Sequence, residues 1–215
     1  MIQFFQKGGP VMYPLLLCSF IAAALIIEHL LFWRQQNRYL DLKEIGRFLE
    51  FLRHGHIKEM FRLGEETQNP VIQTLVSSLS HGDKVLHDAL ELELDNAIEK
   101  TQRRLVGLDT VITLAPLLGI FGTVTGIINS FNFLGASTAT NPQEVSAGVA
   151  EALITTAAGL AIAMPSIVFY NFFVAQTDRF AFRLEKYARE FEILYSKYQQ
   201  KQPLDTSYQS LASGV

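Results

Sequence analysis

The sequence predicts an all-α membrane protein in which three transmembrane helices carry long cytoplasmic helical extensions. The first observation behind this prediction is a set of three apolar runs, at residues 11–33, 108–134 and 147–174. Each run is longer than the roughly 20 residues with which a helix crosses a bilayer core. The second and third runs also lack the polar face that a soluble helix of that length requires. The second observation is that all eighteen lysine and arginine residues lie outside these runs.

The composition excludes several classes of protein. Charged residues make up 18% of the chain, below the roughly 25% that is typical of soluble domains. A net charge of −3 provides no basic face for nucleic acid. The single cysteine, Cys18, lies in an apolar run, and the five histidines do not cluster with carboxylates or thiolates. We therefore expect no disulfide framework, no metal site and no cofactor.

The first apolar run, residues 11–33, is predicted to be retained as a membrane span. A cleaved signal peptide would have a charged start, a shorter apolar stretch and a small-residue cleavage site, and the sequence has none of these. Residues 1–10 precede the span, and Pro10 suits the beginning of a helix. Glu28 and His29 fall in the last turns, where we expect them to reach the interface or to pair with an arginine.

The distribution of lysine and arginine predicts the orientation of the spans. If the N-terminus is periplasmic and the C-terminus is cytoplasmic, Lys7 is the one basic residue of the eighteen on the periplasmic side of the membrane. This bias is what the positive-inside rule describes. The basic residues that follow the first span are Arg34, Arg38, Lys43, Arg47 and Arg53.

Two cytoplasmic regions are predicted to be helical. Residues 34–107 have apolar residues at three- and four-residue spacing, with breaks expected at residues 54–56, at Gly64 and at residues 69–70. The last helix of this region is predicted to run into the second span without a break. The remaining segments are a periplasmic loop, a C-terminal helix and a disordered tail, at residues 135–146, 175–200 and 201–215.

Small residues recur at helical spacing along the second and third spans, which predicts close helix packing. Such residues let backbones approach where lipid provides no hydrophobic drive for association. Pro116 and Pro165 each lie inside a span and are predicted to bend these helices and so shape their packing. The positions expected to pack are Gly119, Gly122 and Gly126 in one span and Gly148, Ala152 and Gly159 in the other.

Glu151 is an ionisable residue within the third span and is therefore a candidate functional residue. Thr155 lies four positions later on the same helical face, and Thr156 adjoins it. By residue count, Thr123 and Thr156 lie at depths that agree within a few Å, at about 1.5 Å per residue. These four residues are the candidate lining of an ion path. The alternative is an interfacial glutamate with threonines that bond their own backbone.

Two stretches resemble the ExbB/TolQ/MotA family of ion-driven motor subunits. They are APLLGIFGTVTG at residues 115–126 and GVAEALITTAAGL at residues 148–160, the latter followed by AMP. The N-terminal GGPVMYP and the IEHLLFW at the end of the first span are similar to the ExbB branch in particular. The likeness covers the three spans, whereas the soluble segments match in layout only.

The resemblance implies a ring-shaped homo-oligomer, with a pentamer expected, whose second and third spans line a central pore. A small single-span partner similar to ExbD would occupy the pore and carry a proton-binding carboxylate. The motor would act in the bacterial inner membrane on a TonB-like protein to energise transport across the outer membrane. The resemblance assigns Thr123, Glu151 and Thr156 to the pore. On a helical wheel, however, Thr155 is about 40° from Glu151 and Thr156 about 140°, which favours Thr155.

Three functions are left open by the sequence: an ExbB-like motor subunit, a TolQ-like subunit that serves envelope integrity, and a passive scaffold that assembles partners without moving ions. An enzyme is disfavoured because the sequence has no nucleophile–base set and no phosphate-binding loop.

Because the spans have no aspartate at a midplane level, we expect a proton cycle to need a partner's carboxylate. The sequence does not distinguish a proton from a sodium ion as the coupling ion.

Overall fold

The computed structural model describes residues 8–79, 86–136 and 142–201. Within these residues the chain is helical almost throughout and forms no strand, so the predicted all-α class is confirmed. The seven helices of the described part are α1 (Met12–Tyr39), α2 (Leu42–His54), α3 (Ile57–Glu66), α4 (Pro70–Leu79), α5 (Leu86–Gln102), α6 (Leu105–Ala136) and α7 (Pro142–Lys201).

Three helical stretches within the described residues are long and apolar enough to cross a membrane. They are Met12–Tyr39, Leu86–Asn132 and Val145–Gln200. Many of their large apolar side chains point outward, as Phe131 and Val168 do with 67% and 66% of their surface exposed. So extensive an apolar surface is unfavourable in water and suits the hydrocarbon of a bilayer.

The chain divides into two compact units. We call Met1–Leu30 with Arg104–Val174 the apolar unit, and Leu31–Arg103 with Ala175–Val215 the polar unit. In the apolar unit, Val11 and Leu15 are buried with Ala115 of α6. Most buried side chains in this unit are small, and for that reason the helices approach one another closely.

The polar unit is built from amphipathic helices whose ends are set by local chemistry. Asp41 caps α2 by accepting a backbone N–H, and Gly55 ends it in the left-handed region with φ of 78°. Along the buried face of α2, the ring of Phe48 stacks on Phe191 of α7 with 5.9 Å between ring centroids. Apolar spacing of three and four residues therefore produces a shared aromatic core in this unit.

Two of the three predicted breaks in residues 34–107 are present, and the third is wrong. α2 ends before Gly55, and α4 begins at Pro70. Gly64 lies inside α3 and is buried, where an added Cβ would lie 2.5 Å from Cγ2 of Val76 in α4. The glycine is thus explained by close packing of two helices and not by a turn.

The predicted run of one helix into the second span is found as one helical stretch, Leu86–Asn132, with a single interruption. A two-residue turn at Arg103 and Arg104 separates α5 from α6. The Arg103 guanidinium pairs with Glu99 in the last turn of α5 at 3.0 Å, whereas that of Arg104 pairs with Glu28 of α1 at 2.8 Å. The break lets the two arginines serve different helices.

The predicted third span and the predicted C-terminal helix, which meet at residue 174, are parts of one continuous helix, α7. Four predicted segments fall wholly or partly outside the described residues. The parts that lie outside are residues 1–7 of the start, residues 80–85 of the cytoplasmic region, residues 137–141 of the loop and residues 202–215 of the tail.

Asn69 joins the starts of two helices of the polar unit, α2 and α4, through hydrogen bonds of its buried side chain. Its side chain is 1% exposed. The Nδ2 group donates to the carbonyl oxygen of Asp41 at 3.0 Å, and Oδ1 accepts from the backbone N–H of Val71 at 3.2 Å. The hydroxyl of Thr67 accepts from the Asn69 N–H and donates to Glu44. Asn69 therefore ties the start of α4 to the start of α2.

Replacing Asn69 by leucine should lower the free energy of unfolding of the polar unit by about 2 kcal/mol, because the buried Val71 N–H loses its acceptor. Thermal denaturation of the detergent-solubilised chain, followed by circular dichroism, measures the change. The matched control is Gln68→Ala, since Gln68 is the exposed neighbour. Equal stability of the two variants would contradict the prediction.

Candidate functional site

Helices α6 and α7 touch backbone to backbone through glycines. A Cβ added at Gly126 would lie 2.9 Å from the carbonyl oxygen of Gly148, and one at Gly119 would lie 3.0 Å from Cα of Thr156. A Cβ at Gly159 would likewise lie 2.5 Å from the carbonyl oxygen of Ala115. The two helices are therefore in contact over most of their shared apolar length, which brings side chains at the same level into hydrogen-bonding range.

The hydroxyls of Thr123 in α6 and Thr156 in α7 form a hydrogen bond across this contact. We call these two residues the hydroxyl pair. Both also lie near the carbonyl oxygen of Gly119, at 3.2 Å from the Thr123 Oγ1 and 3.0 Å from the Thr156 Oγ1. The carbonyl oxygen of Ala152 is a further acceptor, 3.4 Å from the Thr123 Oγ1. The pair thus has two protons and several acceptors within reach.

The hydroxyl pair has two hydrogen-bond orientations that satisfy both of its members. A hydroxyl has one donor and two acceptor lone pairs. In one orientation Thr156 donates to Thr123, which donates to a carbonyl; in the other Thr123 donates to Thr156, which donates to the carbonyl of Gly119. Exchange between the two needs only rotation of the hydroxyls. A reversible pair of this kind is suited to passing a proton or to orienting a water molecule.

Thr155 has a different environment from Thr156. Its side chain is 1% exposed, and its hydroxyl donates to carbonyls of its own helix, at 2.9 Å to Ala152 and 3.2 Å to Glu151. A Cβ added at Gly122 would lie 2.7 Å from Cβ of Thr155. Thr155 therefore packs against α6, and Thr156 is the member of this adjacent pair that meets Thr123.

Glu151 is partly buried near the start of α7 and lies apart from the hydroxyl pair along the helix. The sequence separation of five from Glu151 to Thr156 corresponds to a rise of about 7.5 Å and a rotation of about 140°. The Glu151 carboxylate lies against Gly9, in the turn that precedes α1. The candidate path thus has two separate polar points, the carboxylate nearer the helix start and the hydroxyl pair deeper in the bundle.

Sequence reasoning missed Ser130, whose hydroxyl extends the same polar stripe. This residue is 3% exposed and donates to the carbonyl of Gly126 at 2.9 Å, with the carbonyl of Val145 at 3.3 Å. A Cβ at Gly148 would collide with its Oγ. The signal was present, because Ser130 follows Thr123 by seven residues and so lies on the same helical face.

The expectation for Glu28 and His29 is met by only one of the two residues. Glu28 pairs with Arg104, as expected. His29 instead is buried at 2% exposure, with Nδ1 2.7 Å from the carbonyl of Leu25 and its ring 5.0 Å from that of Phe173. Its Nε2 has no hydrogen-bond partner among the described residues. Ala22, Leu25 and His29 follow one another at spacings of three and four residues, which places His29 on the same helical face as the buried Ala22.

In the described part of the chain, no three histidine, cysteine, aspartate or glutamate side chains group in a way that could hold a metal ion.

Three apolar helices that carry a hydroxyl pair and a carboxylate define this chain as a multi-pass membrane protein with polar groups in its membrane bundle. Its sequence matches the MotA/TolQ/ExbB proton channel family over residues 63–186. That match covers more than half of the chain, and the chain therefore belongs to this family.

Individual relatives carry names from two branches of the family. A putative biopolymer transport protein, ExbB-like 3, of Synechocystis is 32% identical over 94% of this chain and 98% of its own length. The Tol-Pal system protein TolQ of Pseudomonas aeruginosa is 39% identical over 51% of this chain and 48% of its own. The biopolymer transport protein ExbB of Salmonella typhimurium is 40% identical over 42% of this chain and 37% of its own. The chain is similar to both branches.

Proposed function

We propose that this chain is an ExbB-like subunit of an ion-driven motor in the bacterial inner membrane. With a small single-span partner of the ExbD type, it uses the proton motive force to energise TonB-dependent transport across the outer membrane. The observation that carries the proposal is the hydroxyl pair, Thr123 with Thr156, between two apolar helices. Polar groups inside a membrane bundle are costly and are found along ion pathways, although hydroxyls also join packed helices. Here the pair lies in the same bundle as the ionisable Glu151.

The proposed assembly is a ring, with five copies expected, in which α6 and α7 line a central pore around the partner. The proposed orientation puts the N-terminus in the periplasm and the polar unit in the cytoplasm. It is supported by the basic side chains of the polar unit, such as Arg38, Arg53 and Arg183. In this orientation Glu151 is the outer polar point of the path and the hydroxyl pair the inner one.

A partner's carboxylate is proposed because no carboxylate among the described side chains lies beside the hydroxyl pair. Among acidic residues of the apolar unit whose side chains are described, Glu28 is held by Arg104. Asp109 precedes Thr123 by 14 residues in α6, a rise of about 21 Å. Hydroxyls relay protons but do not bind them at neutral pH. The proton-binding group of the cycle is therefore assigned to the single-span partner.

Proton conduction should depend on that partner. Vesicles that contain a pH-sensitive dye and this chain alone should acidify, under an imposed membrane potential, no faster than protein-free vesicles. Vesicles that also contain an ExbD-type protein from the same organism should acidify faster, because the partner's carboxylate completes the path. Conduction by the chain alone at the rate of the full complex would contradict the proposal. Repeating the measurement with and without sodium at a fixed proton gradient identifies the coupling ion.

The second candidate, a TolQ-like subunit of an envelope-integrity motor, is supported by the 39% identity to a TolQ protein over 110 residues. Expression of the chain with its partner in a bacterium that lacks its own ExbB and TolQ distinguishes the two. Restored uptake of iron chelates indicates the ExbB role, and restored resistance to detergent indicates the TolQ role. Failure of alanine substitutions at the hydroxyl pair to affect either phenotype would indicate a passive scaffold.

A further inference from the structure

The chain enters α1 through a short turn, residues 8–11, that is fixed to the apolar unit. The Gly9 carbonyl accepts the N–H of Met12 at 3.2 Å, so the turn continues directly into the helix. Val11 is 7% exposed and Leu15 1% exposed, and both pack on Ala115 of α6. The backbone of this turn is therefore held by buried contacts on the adjoining helix.

Gly9 contacts the Glu151 side chain in a way that only glycine permits. Its φ of 66° is in the left-handed region, which other residues adopt at a cost. A Cβ at this position would overlap Oε1 of Glu151 and would lie 2.5 Å from Cδ. The carboxylate thus occupies the space that any other side chain would need. Two independent constraints, backbone conformation and close approach, coincide at one residue.

The neighbouring residue extends the same contact toward the next turn of α7. Gly8 is buried, and a Cβ there would collide with Met12 and would lie 3.3 Å from Cγ2 of Ile154. The turn therefore contacts α7 at two positions three residues apart, Glu151 and Ile154. A glutamate side chain has several rotatable bonds, and a fixed backbone surface beside its carboxylate restricts the rotamers that it can adopt.

We propose that Gly9 is a positioning residue for Glu151, and that the turn at residues 8–11 sets where this carboxylate stands in the ion path. The inference rests on the proposed function, in which Glu151 is the outer polar point of that path. A side chain at position 9 pushes the carboxylate out of its place, although Gly9 itself touches neither the ion nor the hydroxyl pair.

Disulfide cross-linking tests the contact without reference to function. A Cβ at position 9 lies 3.2 Å from Cγ of Glu151, which brings the two Cβ atoms near the 3.5–4.5 Å separation, approximately, of a disulfide. In a Cys18→Ser background, Gly9→Cys with Glu151→Cys should form a bridge within one chain, seen as a monomer of altered gel mobility. The control is Gly9→Cys with Leu153→Cys, because Leu153 is 64% exposed and about 200° around the helix from residue 151. Equal bridging by the two pairs would overturn the proposed contact.

Proton conduction by the complex tests the consequence. Gly9→Ala should reduce conduction roughly tenfold, because the new methyl group displaces the Glu151 carboxylate. Misplacing a functional group by about 1 Å has effects of this order or larger. Gly46→Ala is the matched control, since a Cβ there meets no atom within 4 Å, and it should conduct like the parent chain. Adding Glu151→Asp to Gly9→Ala should recover part of the loss, because the shorter side chain leaves room for the new methyl group. Backbone strain alone would leave the double variant no better than Gly9→Ala.

The outcomes separate this inference from the function on which it rests. If Glu151→Ala abolishes conduction while Gly9→Ala conducts like Gly46→Ala, the positioning role is refuted and the motor function stands. If Glu151→Ala conducts normally, the assigned role of Glu151 in the path is refuted, whatever the cross-linking result. Membrane insertion and oligomer size, compared by gel filtration in detergent, show that each variant is folded before conduction is measured.

Discussion

Valine at Thr123 or at Thr156 should reduce proton conduction by the complete complex roughly a hundredfold, the scale on which loss of a positioned proton-transfer group acts. Valine has nearly the shape of threonine and removes only the hydroxyl. Each substitution breaks the hydrogen bond between the two residues and leaves a single hydroxyl, which cannot exchange orientation with a partner. Dye-based acidification of vesicles that contain the chain and its partner measures the effect.

The expected stability change in these variants is small, because the carbonyls of Gly119 and Ala152 keep their backbone hydrogen bonds within the helices. Loss of one such hydroxyl contact costs about 1 kcal/mol. Thr123→Ser and Thr156→Ser should conduct, since serine retains the hydroxyl. A loss of folding in parallel with the loss of conduction, or normal conduction in the valine variants, would contradict a relay role.

Two further threonines serve as comparisons for this prediction. Thr113 lies in α6, as Thr123 does. It is exposed, and its hydroxyl donates to the carbonyl of Asp109 at 3.1 Å. Thr113→Val should conduct normally, because its hydroxyl bonds its own helix. Thr155→Val should reduce conduction far less than Thr156→Val, since Thr155 also bonds its own helix and packs against Gly122. The reverse order would restore Thr155 as the residue of the path.

The sequence was sufficient to predict the class of fold and the position of the polar groups along the chain. The length and apolar composition of a span depend only on which residues follow one another, so the sequence alone predicts three membrane-crossing stretches. The equal depths of Thr123 and Thr156 follow from helix rise, and their hydroxyls do meet in the structure. Depth along a helix is a one-dimensional quantity, which a sequence contains directly.

Orientation around the helix axis could not be obtained in the same way. The helical wheel grouped Thr155 with Glu151, but the wheel has no information about where the neighbouring helix lies. The close approach of α6 at Gly119 and Gly122 decides that Thr155 is packed and that Thr156 meets Thr123. The contact between Gly9 and Glu151 was likewise invisible, because the two residues are far apart in sequence and joined only by the fold.

The glycines also show what a sequence cannot predict, because a glycine can be required for more than one structural reason. Gly55 ends a helix in the left-handed region. Gly64 was predicted as a break by the same rule, yet it lies inside a helix where Val76 leaves no space for a Cβ. Only the distance to the neighbouring helix separates a turn glycine from a packing glycine, and that distance is not a property of the local sequence.

Three glycine-to-alanine variants should therefore differ in stability according to what the new methyl group meets. At Gly46 it meets nothing within 4 Å, at Gly107 it would lie 3.2 Å from Cδ1 of Leu25, and at Gly159 it would lie 2.5 Å from the carbonyl oxygen of Ala115. Gly46→Ala should be neutral or slightly stabilising, because alanine is the better helix former. Gly107→Ala should be mildly destabilising, since the end of a leucine side chain can move.

Gly159→Ala should have the largest effect of the three, a loss of about 2 kcal/mol, because the methyl group meets backbone that can yield only by separating α6 from α7. Thermal unfolding in detergent measures the order of the three variants, and equal losses at Gly107 and Gly159 would contradict it. The same separation acts on the site: Gly159 is three residues from Thr156, so the added methyl group also pulls the hydroxyl pair apart. Gly159→Ala should consequently lower proton conduction even at temperatures where the chain is fully folded, whereas Gly107→Ala should not.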